Sequence, residues 1–440
     1  MAQFRTLPGF REFYPEEFAR KSRLLAAWRA VARSYGFCEF EPPVLEQLEL
    51  FTEKSGEEIK SQLFEFVDKG DRAVAMRPEM TPSLARMVGA RAGAIRRPVK
   101  WFAIGENYRY ERQQKGRLRA FYQYNADILG EPSINADAEI ISLLVDSLRV
   151  FGLDQSHFRV RLGDRTLWVL FLQSMGVDDA RMVGVLSVID KLEKVSREAL
   201  REMMDAALAG SGVSAAGLIA DIETLVQIRS IETLGQFLEQ KCPGNPDIPS
   251  RIKDWNALID LLGGLGVDKF ISVDMGIVRG LAYYTGFVFE AFQIVGSGRA
   301  LAGGGRYDNL VGKLGYQPMP AVGFGMGDVT VSDLLELVGK LQSDDFSPQV
   351  YVVIGSENVR KEALDVVRRL RAQGVRVDYP LKAAGFGKQF KQADAVGATC
   401  AVIVGLDELN AGVVKVKNLK TAHEYTVPIS SGDLASEILK

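Results

Sequence analysis

The sequence predicts an α+β fold: a largely antiparallel sheet flanked by helices, a helical insertion, and a C-terminal α/β domain. Three features carry that expectation. Strand patterns at 99–105, 119–129, 270–278, 286–293 and 321–326 are mostly separated by loops rather than helices, which favours antiparallel pairing. Residues 176 to 245 are rich in Ala, Leu and Glu and lack the Gly, Arg and Tyr chemistry on either side, so they read as an inserted helical module. After the polar run Gln342 to Pro348, strand and helix patterns alternate as in a βαβ unit.

Along the chain, Phe18, Leu24, Leu25, Trp28, Val31, Ala32 and Tyr35 recur at helical spacing over 16–35, and Gly36 stops them. A short strand, Phe37 to Phe40, runs into Pro42-Pro43. The insertion closes at Pro243-Gly244-Asn245-Pro246, a turn signal. The C-terminal segment shows strand Val350–Ile354, helix 358–373, strand Val375–Tyr379, helix 387–396 and strand Cys400–Val404, then strands 412–418 and 424–428 and a closing helix. The expected division is 1–175 and 251–340 for the two parts of the sheet domain, 176–250 for the insertion and 346–440 for the last domain.

At 440 residues, 47% apolar and 25% charged, the chain has the composition of a globular protein of several domains. Its start, Met1 to Pro8, has no apolar h-region and no run reaches membrane-spanning length, which points to a cytoplasmic protein with no membrane partner. Three scattered cysteines suggest neither disulfides nor a zinc site. The net charge of −2 gives no global attraction to nucleic acid, yet residues 86–119 hold ten basic side chains against Glu106 and Glu111. Arginines dominate that run, with Tyr108, Tyr110, Phe121 and Tyr122 interleaved, a composition suited to phosphates and bases; a solvated basic face is the other reading. Only two histidines occur, His157 and His423, neither in a motif-like setting. Chemistry here must rest on positioning and electrostatics rather than on a histidine acid–base.

Arg279-Gly280-Leu281-Ala282-Tyr283-Tyr284-Thr285-Gly286 sets a fixed cation, two phenols and a hydroxyl between glycines, just before an alternating strand pattern. The segment from Tyr108 to Gln123 has the form strand, basic loop, strand. Alternation puts Arg109 and Glu111 on one face, and Arg119, Phe121 and Gln123 on one face after the loop. An arginine beside a carboxylate suits a nucleotide, and a structural hairpin with charged tips is the alternative. In Arg77-Pro78-Glu79-Met80-Thr81-Pro82, an extended segment would put Glu79 and Thr81 on one face, ready for an ammonium group. Asp127 by itself reads more readily as a buried or capping acid than as a ligand. The glycine run Gly303-Gly304-Gly305 reads, alone, as a tight turn.

Together these stretches resemble the histidyl-tRNA synthetase family of class II aminoacyl-tRNA synthetases over nearly the whole chain, the insertion being the weakest part. Arg279 to Gly286 matches the family's histidine signature except at Ala282, where the family has Asp. Tyr108 to Gln123 resembles motif 2, Pro43 matches the motif 1 proline, and Ala302 to Gly327 resembles the approach to motif 3; Gly385 to Asp394 and Val416 to Thr421 resemble the anticodon-binding domain of class II synthetases, which makes 346–440 an expected anticodon-binding domain. By resemblance, Arg109 and Arg279 would be catalytic, acting on the α-phosphate. Glu79, Thr81 and Gln123 would hold the histidine ammonium, and Asp127, Tyr283 and Tyr284 would complete the histidine site around its imidazole. Arg109, Glu111, Arg117 and Gly325 would bind ATP, and Arg112, Gln114, Lys388 and Lys391 would meet tRNA(His). Mg2+ would accompany ATP, its protein ligands being unknown, and a homodimer is implied. Gly327-Asp328-Val329-Thr330 departs from the Gly-Leu-Glu-Arg of most members of the family, so the nucleotide clamp would be altered or filled from elsewhere. Gln113 replaces a proline usual in the bacterial loop. The resemblance implies a histidine–tRNA ligase; a non-ligating, histidine- or tRNA-sensing regulatory paralogue is the alternative that Ala282 and Thr330 keep open.

Overall fold

The computed structural model describes residues 4–52, 60–111, 118–192, 194–279, 283–296, 298–343 and 345–440. The chain divides into two compact units, Met1–Ser343 and Asp344–Lys440.

In chain order the strands of the first unit are β1 Cys38–Glu39, β2 Leu45–Gln47, β3 Phe64–Val67, β4 Ala73–Met76, β5 Val99–Tyr108, β6 Ala120–Leu129, β7 Phe158–Asp164, β8 Ile271–Val273, β9 Phe287–Gln293, β10 Ala300–Arg306 and β11 Ala321–Gly327. Eight of them form one sheet in the order β1-β5-β6-β11-β10-β9-β7-β8, and β2-β4-β3 form a small separate sheet. Pairing from β5 to β7 is antiparallel throughout; β1 on β5 and β8 on β7 are parallel, at the two edges. One face of the large sheet is closed by helices. Helix Pro15–Ser34 buries Leu24, Leu25, Trp28 and Ala32, and Trp28 stacks on Tyr124 of β6 with ring centroids 5.5 Å apart. Helix Ile134–Arg149 buries Ile140, Ile141, Leu144 and Leu148 in the same core. The opposite face, where the odd-numbered residues of β6 point, carries the cleft described below.

Buried polar groups fix the framework. Arg306, at the end of β10, pairs with the buried Asp137 at 2.5 Å and donates to the carbonyls of Glu131 and Ser133. Asp164, fully buried at the end of β7, caps helix Arg165–Ser174 and accepts from Arg251 and from the Trp255 indole N–H. A buried carboxylate needs such partners to stay charged. Here they fasten helix Asp247–Gly264 to the sheet. Between 176 and 250 lie helices Asp179–Ile189, Arg197–Ala207, Ala215–Leu225 and Ile231–Lys241.

Two expectations need correction. The apolar run 270–278 is strand only over Ile271–Val273, because Asp274 turns the chain and its Oδ1 accepts from the backbone N–H of Gly276 at 2.9 Å. The run Gly303–Gly305 is no turn: it is the middle of β10, inside the sheet. Side chains would have no room there. A Cβ on Gly304 would sit 2.1 Å from the carbonyl oxygen of Gly323.

The second unit holds β12 Val350–Ile354, β13 Val377–Asp378, β14 Cys400–Val404, β15 Val413–Asn418 and β16 Glu424–Pro428, ordered β13-β12-β14-β15-β16. The β13, β12 and β14 strands are parallel, as crossover helices Arg360–Ala372 and Phe386–Ala395 require. Val350, Val352 and Ile354 face one apolar core, Tyr351 and Val353 another, which explains the unbroken apolar run of β12.

Candidate active site

Alternation along β6 puts Phe121, Gln123, Asn125 and Asp127 on the open face of the sheet, where they line a cleft of about 290 Å³. Their neighbours on β11 are glycines: Gly323 pairs with Asp127, Gly325 with Asn125 and Gly327 with Gln123. A Cβ on Gly323 would lie 1.8 Å from the Asp127 carboxylate, so only glycine lets that side chain lean across the strand. Arg109 closes one end of the cleft, its Nε donating to the Pro78 carbonyl at 3.0 Å and its guanidinium 5.5 Å from the Phe121 ring centroid. Arg279, Tyr283 and Tyr284 also line the cleft.

Two buried carboxylates are half satisfied. The Tyr283 hydroxyl donates to Glu79 Oε2 at 2.9 Å, and Glu79 Oε1 is buried without a partner. The Tyr307 hydroxyl donates to Asp127 Oδ1 at 2.6 Å, and Asp127 Oδ2 is buried without a partner. Burial pushes the Asp127 carboxyl up to about 7; the Tyr307 bond opposes this and the nearby Glu79 charge adds to it. Burial likewise raises Glu79, against the pull of Arg109, the Tyr283 bond and Arg279. Asn107 donates from Nδ2 to Gln123 Oε1 at 2.6 Å, which turns the Gln123 amide N–H donors away from that contact. Such lone buried acceptors are costly unless a ligand donates to them.

Arg279 is held tightly. Its backbone is left-handed, with φ 63°. Its Nη1 pairs with Glu290 of β9 at 2.9 Å, and its guanidinium lies 5.8 Å from the Tyr284 ring centroid. Gly303 makes the space, since a Cβ there would sit 2.0 Å from Nη1. Burial works against its charge, but Tyr284 and Glu290 outweigh burial and hold the guanidinium above its ordinary range.

The structure brings Glu79, Thr81, Arg109, Gln123, Asp127, Arg279, Tyr283, Tyr284 and Gly325 to this one cleft. The local conformation at 77–81 differs from the extended segment expected: Met80 is already in the right-handed helical region and Thr81 begins helix Thr81–Ala90. Glu111 follows Arg109 closely and lies outside the lining of the cleft, its backbone N–H donating to the Arg109 carbonyl at 2.9 Å. Arg112, Gln114 and Arg117 lie outside the described residues, as do Gly280, Leu281 and Ala282. Lys388 and Lys391 belong to the second unit, three residues apart on helix Phe386–Ala395. Gln389 between them is buried and bonds both backbone polar groups of Ile354, which fixes the helix on β12. Thr330 does face the cleft, while Asp328 is buried and accepts from Arg11 at 2.7 Å and from the Tyr122 backbone N–H at 3.0 Å.

Sequence reasoning missed Glu290, Tyr307 and Asn125. Glu290 is the one charge in the apolar strand Phe287–Phe292, a signal that was available. Tyr307 follows Arg306 in a stretch whose glycines suggested a turn, and nothing local tied it to Asp127, 180 residues earlier in sequence.

Comparison with known proteins bears on what this cleft does. Residues 9–329 match the family model described as histidyl-tRNA synthetase, and residues 349–439 match the anticodon binding domain. The chain is 49% identical to a histidine–tRNA ligase of Opitutus terrae over 97% of both chains. It is 37% identical to a chloroplastic/mitochondrial histidine–tRNA ligase of Arabidopsis thaliana, over 96% of this chain and 84% of that one. Among solved structures, histidyl-tRNA synthetase from Nostoc sp. aligns with a TM-score of 0.79 at 26% identity, covering 100% of this chain and 99% of that one.

Proposed function

The chain belongs to the histidyl-tRNA synthetase family, and from that premise we propose how its own side chains carry out histidine–tRNA ligation. ATP, L-histidine and tRNA(His) are the substrates of that reaction. The observation that supports the scheme best is the pair of half-satisfied carboxylates. Glu79, turned by Tyr283, offers one free oxygen to an α-ammonium group, with Thr81 and Gln123 beside it. Asp127, turned by Tyr307, offers one free oxygen to an imidazole N–H, and Tyr284 takes the other side of the ring. The histidine carboxylate then attacks the α-phosphorus of ATP, forming a P–O bond as pyrophosphate leaves. Arg109 and Arg279 stabilise the charge that builds on the phosphoryl oxygens. In the second step a terminal ribose hydroxyl of tRNA attacks the histidyl carbonyl carbon and AMP leaves. Phe121 and Gly325 border the adenine, with Glu111 and Arg117 assigned to ATP and Arg112 and Gln114 to the tRNA end.

Magnesium enters this scheme as the counter-ion of the ATP phosphates. Its protein ligands stay unassigned: an ion of this kind would be held by the phosphates together with one or two carboxylates. Thr330 offers a hydroxyl where an arginine is expected from the resemblance, and the outer phosphates are then left to other groups. The functional division assigned is catalytic 1–175 and 251–340, insertion 176–250 and anticodon reader 346–440. A homodimer formed around Pro43 is supported by the exposed Val44, Leu45, Phe66 and Val67 near the small sheet. A cytoplasmic location completes the proposal; no helix among the described residues is long and apolar enough to cross a membrane.

Histidine-dependent exchange of pyrophosphate into ATP tests the scheme directly. The full chain should catalyse exchange with histidine and with no other common amino acid. Histidine binding without exchange would sink it. The last domain gives a second expectation. The two units have separate apolar cores, so a chain ending at Ser343 should still form histidyl-adenylate. Its tRNA affinity should fall, and with a shallower salt dependence, because phosphate contacts to residues such as Lys388 and Lys391 are lost. Equal affinity and salt slope for both chains would remove 346–440 from the tRNA-reading role.

A further inference from the structure

A second hollow, of about 420 Å³, lies on the same face of the large sheet as the cleft. Alternation places Arg159 and Arg161 of β7 on that face, opposite Phe292 and Glu290 of β9, and Ser272 of β8 stands beside Arg161. The chain after β8 crosses β7 so closely that a Cβ on Gly163 would sit 2.3 Å from the Ile277 carbonyl oxygen. Arg229, from the turn between helices Ala215–Leu225 and Ile231–Lys241, completes the lining together with Asp274, Phe292 and Ile294.

Three guanidinium groups thus share one concavity with a single carboxylate. Asp274 is committed to Arg161 at 2.5 Å and reaches Arg229 only at 4.0 Å. Backbone carbonyls hold the other two: Arg159 donates to Lys269 at 2.8 Å, and Arg229 to Val226 and Ile228 at 2.5 and 3.0 Å. Each guanidinium carries five N–H donors, so these bonds orient Arg159 and Arg229 and leave donors over. Gathering cations in a concave site is unfavourable unless an anion occupies it, and arginine's planar fork suits phosphate oxygens. The remaining wall is apolar: Phe292 lies under Arg161 at 5.0 Å, and Ile294 is 52% exposed. A flat ring or a ribose would cover both.

We propose that this hollow is a nucleotide-phosphate subsite, with the phosphate on Arg159 and Arg229 and the sugar or base against Phe292 and Ile294. The nucleotide comes either from a free mononucleotide or from the strand of a bound RNA. The second source rests on the ligase reading and the first does not.

The test uses the full chain and its Arg159→Gln, Arg229→Gln and double variants, with a non-hydrolysable histidyl-adenylate analogue filling the cleft. AMP is titrated by calorimetry, and tRNA binding is followed against salt. Pyrophosphate exchange without the analogue reports that fold and cleft are intact. AMP binding to the analogue-filled parent, lost in the double variant, supports a free-nucleotide site. No AMP binding, but a tRNA salt slope reduced by about one per arginine removed, supports the RNA source. If exchange persists and neither AMP binding nor the salt slope changes in any variant, the subsite does not exist. Arg229→Gln alters a half-exposed side chain, and serves alone if the Arg159 variants fail to fold.

Discussion

Arg279→Ala should lower kcat for adenylate formation by about a hundred- to a thousandfold while moving KM for histidine little. The reason lies in how much structure is spent on placing this one guanidinium. A left-handed backbone, a strand glycine at Gly303 and an ion pair with Glu290 all serve to hold it, and a preorganised donor acts where charge develops during reaction. Glu290→Gln keeps the arginine and weakens its anchor, so it should lower kcat by a smaller factor in the same direction. Single-turnover rates of adenylate formation measure both. An effect confined to KM would make Arg279 a binding residue and would undo the role assigned to Glu290.

Asp127→Asn should have the largest effect on histidine affinity. Hydrogen bonds to charged groups are worth roughly 1.5–3 kcal/mol, so KM should rise by about ten- to a hundredfold or somewhat more. The pH dependence gives a sharper test. Because the empty-site carboxyl is pushed up to about 7, protonation of Asp127 should weaken histidine binding as pH falls through 7. Free imidazole titrates nearby, at about 6.5, and the amide that replaces the carboxyl in the variant cannot titrate. A slope below pH 7 that survives in Asp127→Asn would therefore belong to the substrate. Stability should run the opposite way. An acid whose folded value is raised contributes stability that is complete below its unfolded value, about 3.9, and is lost as pH rises through about 7. The variant has no such loss, so its Tm relative to the parent should climb between about pH 4 and 7 and level off above. A pH-independent difference would mean that Asp127 ionises at its ordinary value in the empty cleft, and a difference still climbing well above pH 7 that it stays protonated there.

Short-range periodicity showed which side chains of β6 share a face, while the roles given to them came from the family resemblance. Once β6 is read as a strand, Gln123 and Asp127 must share a face, and the structure obeys. The C-terminal unit was legible for the same reason: alternating strand and helix patterns leave few topologies. What escaped depends on partners distant in sequence. Gly303 to Gly305 look like a turn in isolation and are a strand because they pair with β9 and β11, where Arg279, Gly323 and Phe287 leave no room for a side chain. Arg306 sits in a motif-like run, yet its guanidinium turns away to Asp137, 169 residues earlier in sequence. The small sheet of β2, β4 and β3 rests on strands of three or four residues, too short for alternation to register.

The glycine column of β11 has a consequence for anyone wishing to retarget this cleft to another amino acid. Gly323 and Gly325 already yield their side-chain volume to Asp127 and Gln123, so the floor has no atom left to remove. The aromatic side chains that could yield room beside the two carboxylates are Tyr283, Tyr284 and Tyr307, and each of those rings also steers a carboxylate or borders the arginine. Room and recognition are held by the same three side chains. A redesigned specificity would have to replace both at once, so stepwise selection through single substitutions should stall at inactive intermediates.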